Sequence, residues 1–130
     1  MRVYLAGPIF ECTDAEANGW RELVTPLLDG HEVCNPMRRD YRGVEGANAE
    51  RIVLEDKKDL DTCDAVLAHC LTPSWGTAME IHYAYMRGIP VIAVTPPNPS
   101  PWLIAHTTTV RDLGSAVREV TGVVPVGMRP

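Results

Sequence analysis

The residue in this sequence best suited to covalent chemistry is Glu80. It lies in Ser74-Trp75-Gly76-Thr77-Ala78-Met79-Glu80-Ile81-His82-Tyr83-Ala84, a stretch that begins like a loop and ends like a buried helix. Ala78, Ile81, Tyr83, Ala84 and Met86 are mostly apolar, and Glu80 interrupts them between Met79 and Ile81. Pro73 and Ser74 end the preceding apolar run, and Gly76-Thr77 supply a turn and an N-cap. On that placement Glu80 sits one turn into the helix, where the dipole favours its ionised form. It reads as a charged, partly desolvated carboxylate aimed at a ligand. The plainer alternative is an exposed glutamate that only complements the dipole. Asp56, Asp59 and Asp61 are a second concentration of acids, crowding the last turns of another helix where the dipole disfavours them. At least one of them is therefore expected to be kept for a function. Cys12, Cys34, Cys63 and Cys70 form no C-x-x-C pair, which argues against zinc. His69 and His82 have no partner at metal-ligand spacing.

A carboxylate of this kind needs a scaffold, and the hydrophobic periodicities supply one. Residues 3–6 form a short strand ended by Gly7-Pro8. Thr13 and Glu16 have capping-box spacing, and a helix follows to about residue 28 with Trp20, Leu23, Val24 and Leu27 on one face. Residues 31–34 make a second strand, stopped by Asn35-Pro36. Residues 37–47 are polar and long for a strand-to-helix connection, a mark of functional loops. A helix spans about 48–62, with Ile52, Val53, the stem of Lys57 and Leu60 inward. Residues 64–70 are nearly all apolar, as in a strand buried on both faces. Gly88 closes the Glu80 helix. Residues 89–95 are another buried strand, with Pro90 near its start. Four prolines stiffen residues 96–101, and residues 102–110 leave room for a short last strand. Residues 112–121 read as a final helix with Leu113, Val117 and Val120 inward. The tail, residues 123–130, is suited to lie on a neighbouring subunit or to stay loose.

Strands alternating with helices predict one domain over residues 1–130, an α/β fold with a mostly parallel sheet. Right-handed crossovers and a short first unit favour the flavodoxin-like order 2-1-3-4-5 with helices on both faces. Strands 1 and 3 are then neighbours at the switch point, where ligands bind outside the carboxyl ends of the strands. That topology gathers Tyr4, Phe10 and Glu80 around one cleft.

The totals narrow the classes of partner. At 130 residues, 45% hydrophobic and 22% charged, the chain has the composition of a folded globular protein. A net charge of −5 argues against a nucleic-acid polymer as ligand. No apolar run is long enough to cross a bilayer, and the chain opens directly into a strand without a signal peptide. A reducing cytoplasm is the expected location.

Three segments carry a family resemblance. Tyr4-Leu5-Ala6-Gly7-Pro8-Ile9-Phe10, then Asp59-Leu60 with Cys63-Asp64-Ala65-Val66-Leu67-Ala68, then Gly76-Thr77-Ala78-Met79-Glu80-Ile81 together resemble the nucleoside 2-deoxyribosyltransferase family. The resemblance runs from Arg2 to about Leu113. It implies that Glu80 attacks the anomeric carbon of a 2′-deoxynucleoside, that a deoxyribosyl-enzyme ester forms, and that a second base or water then attacks it. This is the logic of a retaining glycosidase, with an oxocarbenium-like transition state. Tyr4 would hold the nucleophile, and its hydroxyl would favour the charged carboxylate. Asp59 would be the second acid, helping to protonate the departing base. Phe10 would pack on the base, and Asp40 falls where the family reads the base edge. Gly7 and Gly76, in the two loops at the cleft, would border the substrate. No metal and no cofactor is implied.

Two positions depart from the transferase pattern. Transferases usually carry an aspartate six residues before the nucleophile, where this chain has Ser74. A serine there resembles the related deoxynucleoside 5′-monophosphate N-glycosidases, and losing a carboxylate removes repulsion toward phosphate. The family also brings a polar residue from an adjacent subunit, and the best match here is His106. Such a site requires a homodimer or larger assembly, with Trp75, Trp102 and the tail as candidate contacts. Against the hydrolase, the first loop carries Glu11 and Asp14 and no arginine before Arg21. The expected activity is therefore deoxyribosyl transfer between a nucleoside and a nucleobase. Hydrolysis of a nucleoside 5′-monophosphate stands second, and a nucleotide-binding sensor without turnover third.

Overall fold

In the computed structural model, which describes residues 1–125 and 128, every strand is parallel to its neighbours. β1 (Arg2–Ala6), β2 (Glu32–Cys34), β3 (Ala65–His69), β4 (Val91–Val94) and β5 (Thr108–Val110) lie in the order β2-β1-β3-β4-β5. This is the expected flavodoxin-like order, with β1 and β3 adjacent at the switch point. The α-helices among the described residues are α1 (Asp14–Val24), α2 (Ala49–Asp61), α3 (Trp75–Met86), α4 (Pro101–His106) and α5 (Leu113–Thr121).

Alternation along each strand divides the core in two. Val3, Leu5, Ala65, Leu67, Ile92 and Val94 pack with Trp20 and Val24 of α1 and Ala116 and Val120 of α5. Tyr4, Ala6, Val66, Ala68, Val91 and Ala93 pack on the other face with Leu60 of α2 and Ile81 and Ala84 of α3. Ala6, Ala68 and Ala93 are register partners across three strands. That row of small side chains leaves room for α3 to lie close against the strand ends.

Local chemistry sets most helix boundaries. Thr13 and Glu16 form the expected capping box, at 3.2 and 2.9 Å. α1 ends at Val24 and continues as a 3-10 turn, Thr25–Leu28, because Pro26 has no N–H to donate. Its inward face is Ala17, Trp20, Arg21 and Val24, whereas the expected Leu23 and Leu27 are exposed. A wholly buried arginine displaced the stripe that a hydrophobic count would choose. In α2, Leu60 is buried while Val53 and Lys57 face solvent. α3 starts two residues before the expected cap. Ser74 is the N-cap, and its Oγ accepts from the Thr77 amide at 3.4 Å and the Thr77 hydroxyl at 3.1 Å. α4 was not expected; Ser100 caps it and Pro101 occupies its first turn, a favoured helix start. Of the tail, residues 126, 127, 129 and 130 lie outside the described residues, so its expected placement does too.

Candidate active site

Glu80 comes off the second turn of α3 and meets β1. Tyr4 points to the α2/α3 face, is wholly buried, and donates its hydroxyl hydrogen bond to Glu80 Oε2. The expected pairing of these residues is thus present. The expected charge state is not. Burial, then the charge of Asp56, pushes the Glu80 carboxyl up to about 8, against the Tyr4 hydrogen bond and the positive charge of Arg21. The helix dipole offers little relief, because Glu80 lies beyond the first turn where its field is strong. The Tyr4 hydroxyl is itself raised far above its usual range, by burial and then by Glu80, so it remains a donor.

The acid whose charge reaches Glu80 and Tyr4 is Asp56. Burial pushes its carboxyl up to about 6, against Arg39, whose Nη2 lies 3.7 Å from Oδ1. Burial raises both carboxyls, Glu80 more than Asp56, so of the two Glu80 holds its proton the more tightly.

Asp59 is placed differently from its expected role. Arg38 Nη2 donates to both its carboxylate oxygens at 2.8 Å, and Arg39 Nη2 donates at 2.6 Å. Burial opposes its charge, yet the Arg39 and Arg38 hydrogen bonds hold its carboxyl below the usual range. Such a carboxylate has no proton to give. Asp56 and Asp59, three residues apart, share one face of α2, and what separates them is that Arg38 and Arg39 both hydrogen-bond Asp59. Asp61 is likewise engaged, by Tyr83 and Arg87, each at 2.9 Å.

The remaining expected residues divide. Phe10 is exposed in the loop after β1, at the same end of the sheet. Gly7 is needed for packing, since a Cβ there would lie 2.7 Å from the Trp20 ring. Gly76 sits in open space in the first turn of α3. Asp40 is committed to Arg42, accepting from its backbone N and Nε at 3.0 Å and its Nη2 at 2.7 Å. Arg42 also holds Asp14 and the Cys12 carbonyl, so Asp40 belongs to a clasp between two loops. Ser74 lines a cleft of about 540 Å³, with Trp75, Pro99 and Trp102 among its other walls and neither Glu80 nor Tyr4. His106 packs on Trp102 and Tyr85 and lies 3.4 Å from His82. Nothing brings it to Glu80 of its own chain. Among the described residues no cluster of His, Cys, Asp and Glu could hold a metal ion.

Comparison with known proteins identifies the family of this chain. The family profile described as nucleoside 2-deoxyribosyltransferase matches residues 3–116. The chain belongs to that family. Nucleoside 2-deoxyribosyltransferase family members are glycosyl transferases or N-glycosidases acting on nucleosides and nucleotides as small-molecule substrates. A Thermofilum pendens relative, whose name assigns it provisionally as 2′-deoxynucleoside 5′-phosphate N-hydrolase 1, is 35% identical over 96 residues. The match covers 72% of this chain and 67% of the relative. Among solved structures, the 2-deoxyribosyltransferase of Bacillus psychrosaccharolyticus superposes with a TM-score of 0.71 at 20% identity, covering 96% of this chain and 98% of that one. A conserved protein from Enterococcus faecalis gives 0.72 at 20% identity, covering 95% and 98%. The CMP N-glycosidase of Clostridium botulinum gives 0.59 at 18% identity, covering 93% and 99%. At such identities the likeness to solved structures concerns the fold alone.

Proposed function

We propose that this family member is a nucleoside 2-deoxyribosyltransferase working through a Glu80 ester. The observation that carries the reading is the buried Tyr4–Glu80 hydrogen bond at the switch point, with Asp56 as the acid acting on both. An ionised Glu80 oxygen attacks C1′ of the deoxyribose, and the bond from C1′ to the base nitrogen breaks. Its electron pair leaves on the base, which takes a proton from Asp56. In this reading substrate binding moves the proton from Glu80, which holds it more tightly at rest, to Asp56, and so puts charge on the nucleophile. A second base attacks C1′ from the opposite face, releases the Glu80 carboxylate, and returns a proton to Asp56. Asp56 thus takes the place first expected of Asp59.

The substrate of this reading is a neutral nucleoside. Arg38 and Arg39 are bound by Asp59, Glu55 and Asp56, and Arg42 by Asp40 and Asp14. Guanidinium groups already neutralised by carboxylates offer a phosphate little. Hydrolysis of a 5′-monophosphate is the second reading. Ser74 at the α3 N-terminus supports it, because a helix start accepts anions, as does the hydrolase name of the Thermofilum relative.

We also propose that two copies complete the site, the neighbour supplying His106. Trp75 is 91% exposed, Trp102 73% and Met79 72%. Large apolar side chains left bare on neighbouring helices mark an interaction surface.

The assay separates the readings. Thymidine plus adenine yields deoxyadenosine if the enzyme transfers. Free base released only from dTMP or dCMP identifies the hydrolase and rejects the first reading. Neither product, with binding unchanged in Glu80→Ala, rejects both.

A further inference from the structure

One guanidinium in the loop after β2 is divided among three carboxylates of α2. Arg39 donates from Nε to Glu55 Oε2 and from Nη2 to Asp59 Oδ2, the latter at 2.6 Å. The same Nη2 stands 3.7 Å from Asp56 Oδ1, beyond hydrogen-bond reach. Both holding acids are themselves fixed. Glu55 Oε1 accepts from the Tyr41 hydroxyl at 2.7 Å and from Arg51 Nε at 3.0 Å. Asp59 accepts from Arg38 Nη2 at 2.8 Å on each oxygen. Among the described residues no other cation stands within ion-pair distance of Asp56. The side chains of Arg39, Glu55, Asp56 and Asp59 are 25%, 24%, 24% and 13% exposed, so solvent screens them less than a pair on the open surface.

The two aspartates share a face of α2, yet their states differ with the reach of the arginines. Burial opposes the Asp59 charge, but hydrogen bonds from Arg39 and Arg38 hold that carboxyl below the usual range. Asp56 accepts from neither, and burial pushes it up to about 6. We propose that Asp59 is a positioning residue for the reaction: with Glu55 it holds the Arg39 guanidinium short of Asp56, so that Asp56 stays able to take up a proton and pass it to the base. This rests on the reading of Asp56 as the acid. A carboxylate that accepts a charge-assisted hydrogen bond from a guanidinium favours its ionised form. Were Arg39 to close the gap, Asp56 would join Asp59 in that state. Asp56 faces Arg38 and Arg39 from the loop after β2, Glu55 and Asp59 on its own helix, Tyr4 from β1 and Glu80 from α3, with Arg21 acting from across the sheet. Of these, Arg39 is the cation near enough to pair with it. Asp59 forms no bond to substrate and exchanges no proton in the reaction.

A plain structural role would be to tie the loop after β2 to α2, and the test separates the two. Asp56 is titrated by carboxyl 13C NMR in wild type, Asp59→Asn, Arg39→Gln and the double variant, its signal assigned with Asp56→Asn. Asp59→Asn should lower the Asp56 midpoint by about 0.5–1 pH unit, which keeps the loss in turnover under about tenfold. Losing the Asp59 charge alone would act in the same direction, so the double variant decides. If Asp59 acts by holding Arg39, adding Asp59→Asn to Arg39→Gln should lower the midpoint by less than half as much as it does in wild type. A fall of half or more, or no fall in Asp59→Asn itself, overturns the proposal. If Asp59→Asn fails to fold, Glu55→Gln takes its place, since it frees the Nε end of the same guanidinium, and the same limits apply. The titration needs no substrate. An enzyme inactive on every nucleoside would therefore refute the proposed function while leaving this linkage intact.

Discussion

Seventy-six residues of chain separate Tyr4 from Glu80, yet one hydrogen bond joins them. If Glu80 is the nucleophile, Glu80→Ala should lose at least about a thousandfold in turnover; a loss under tenfold rejects the assignment. Tyr4→Phe removes a hydrogen bond to a charged group, about 1.5–3 kcal/mol. Steady-state rates near neutral pH should drop roughly ten- to a hundredfold, with the Glu80 midpoint raised because Tyr4 lowers it. Asp56→Asn should abolish base protonation while lowering the Glu80 midpoint. Asp59→Asn should cost less than tenfold in rate, because that carboxylate is occupied by Arg38 and Arg39. The sequence made Glu80 legible through a misfit carboxylate, and Tyr4 through the expected switch point and the family resemblance. It did not separate Asp56 from Asp59, since both lie on one face of one helix and only the two arginines on Asp59 distinguish them. Arg21 was invisible for a related reason: a hydrophobic pattern counts an arginine as outward.

Secondary structure carried the rest of what could be read. Glycine and proline ended β1 and β2 as expected, and the two-sided apolar runs of β3 and β4 made the parallel order legible before any coordinates. Boundaries that depend on a single hydroxyl were less so. Ser74 and Thr77 both suit an N-cap, and the choice moves Glu80 from the first turn to the second. Ser74→Ala should cost about 1 kcal/mol in α3 stability. Chemical denaturation measures that cost, and a separate rise in KM for a 5′-monophosphate alone would favour the hydrolase reading. Gly7→Ala should destabilise by about 1–3 kcal/mol, because the added methyl meets the Trp20 ring at 2.7 Å. Thermal melts of the variant check it, and an unchanged melt would mean that Trp20 moves aside freely.

Across the whole molecule, proton linkage sets the response to pH. The folded Glu80 carboxyl, at about 8, lies above the ordinary 4.5, so the folded state binds a proton more tightly than the unfolded one. Its contribution to stability is complete below about 4.5 and is lost as pH rises through about 8. Asp56 acts in the same sense, with its loss complete above about 6. Melting temperature should therefore fall between pH 6 and 9, and Glu80→Gln should flatten that fall; an equally steep fall in the variant defeats the argument. No described helix is long and apolar enough to cross a membrane. The bare tryptophans should instead be covered by a second copy. Light scattering should give a dimer or larger species that Trp102→Glu breaks apart, and a monomeric wild type would dismiss the shared site.

The Asp40–Arg42–Asp14 clasp ties the loop after β1 and the start of α1 to the loop after β2. Its carboxylates stand largely in water, with side-chain exposures of 42% and 85%, so dissolved ions compete for its attraction. Backbone amides between residues 40 and 45 should exchange deuterium faster as sodium chloride is raised, while those of β1 and β3 keep their rates. Ionic strength would then loosen the join between these two loops while the sheet beneath keeps its order.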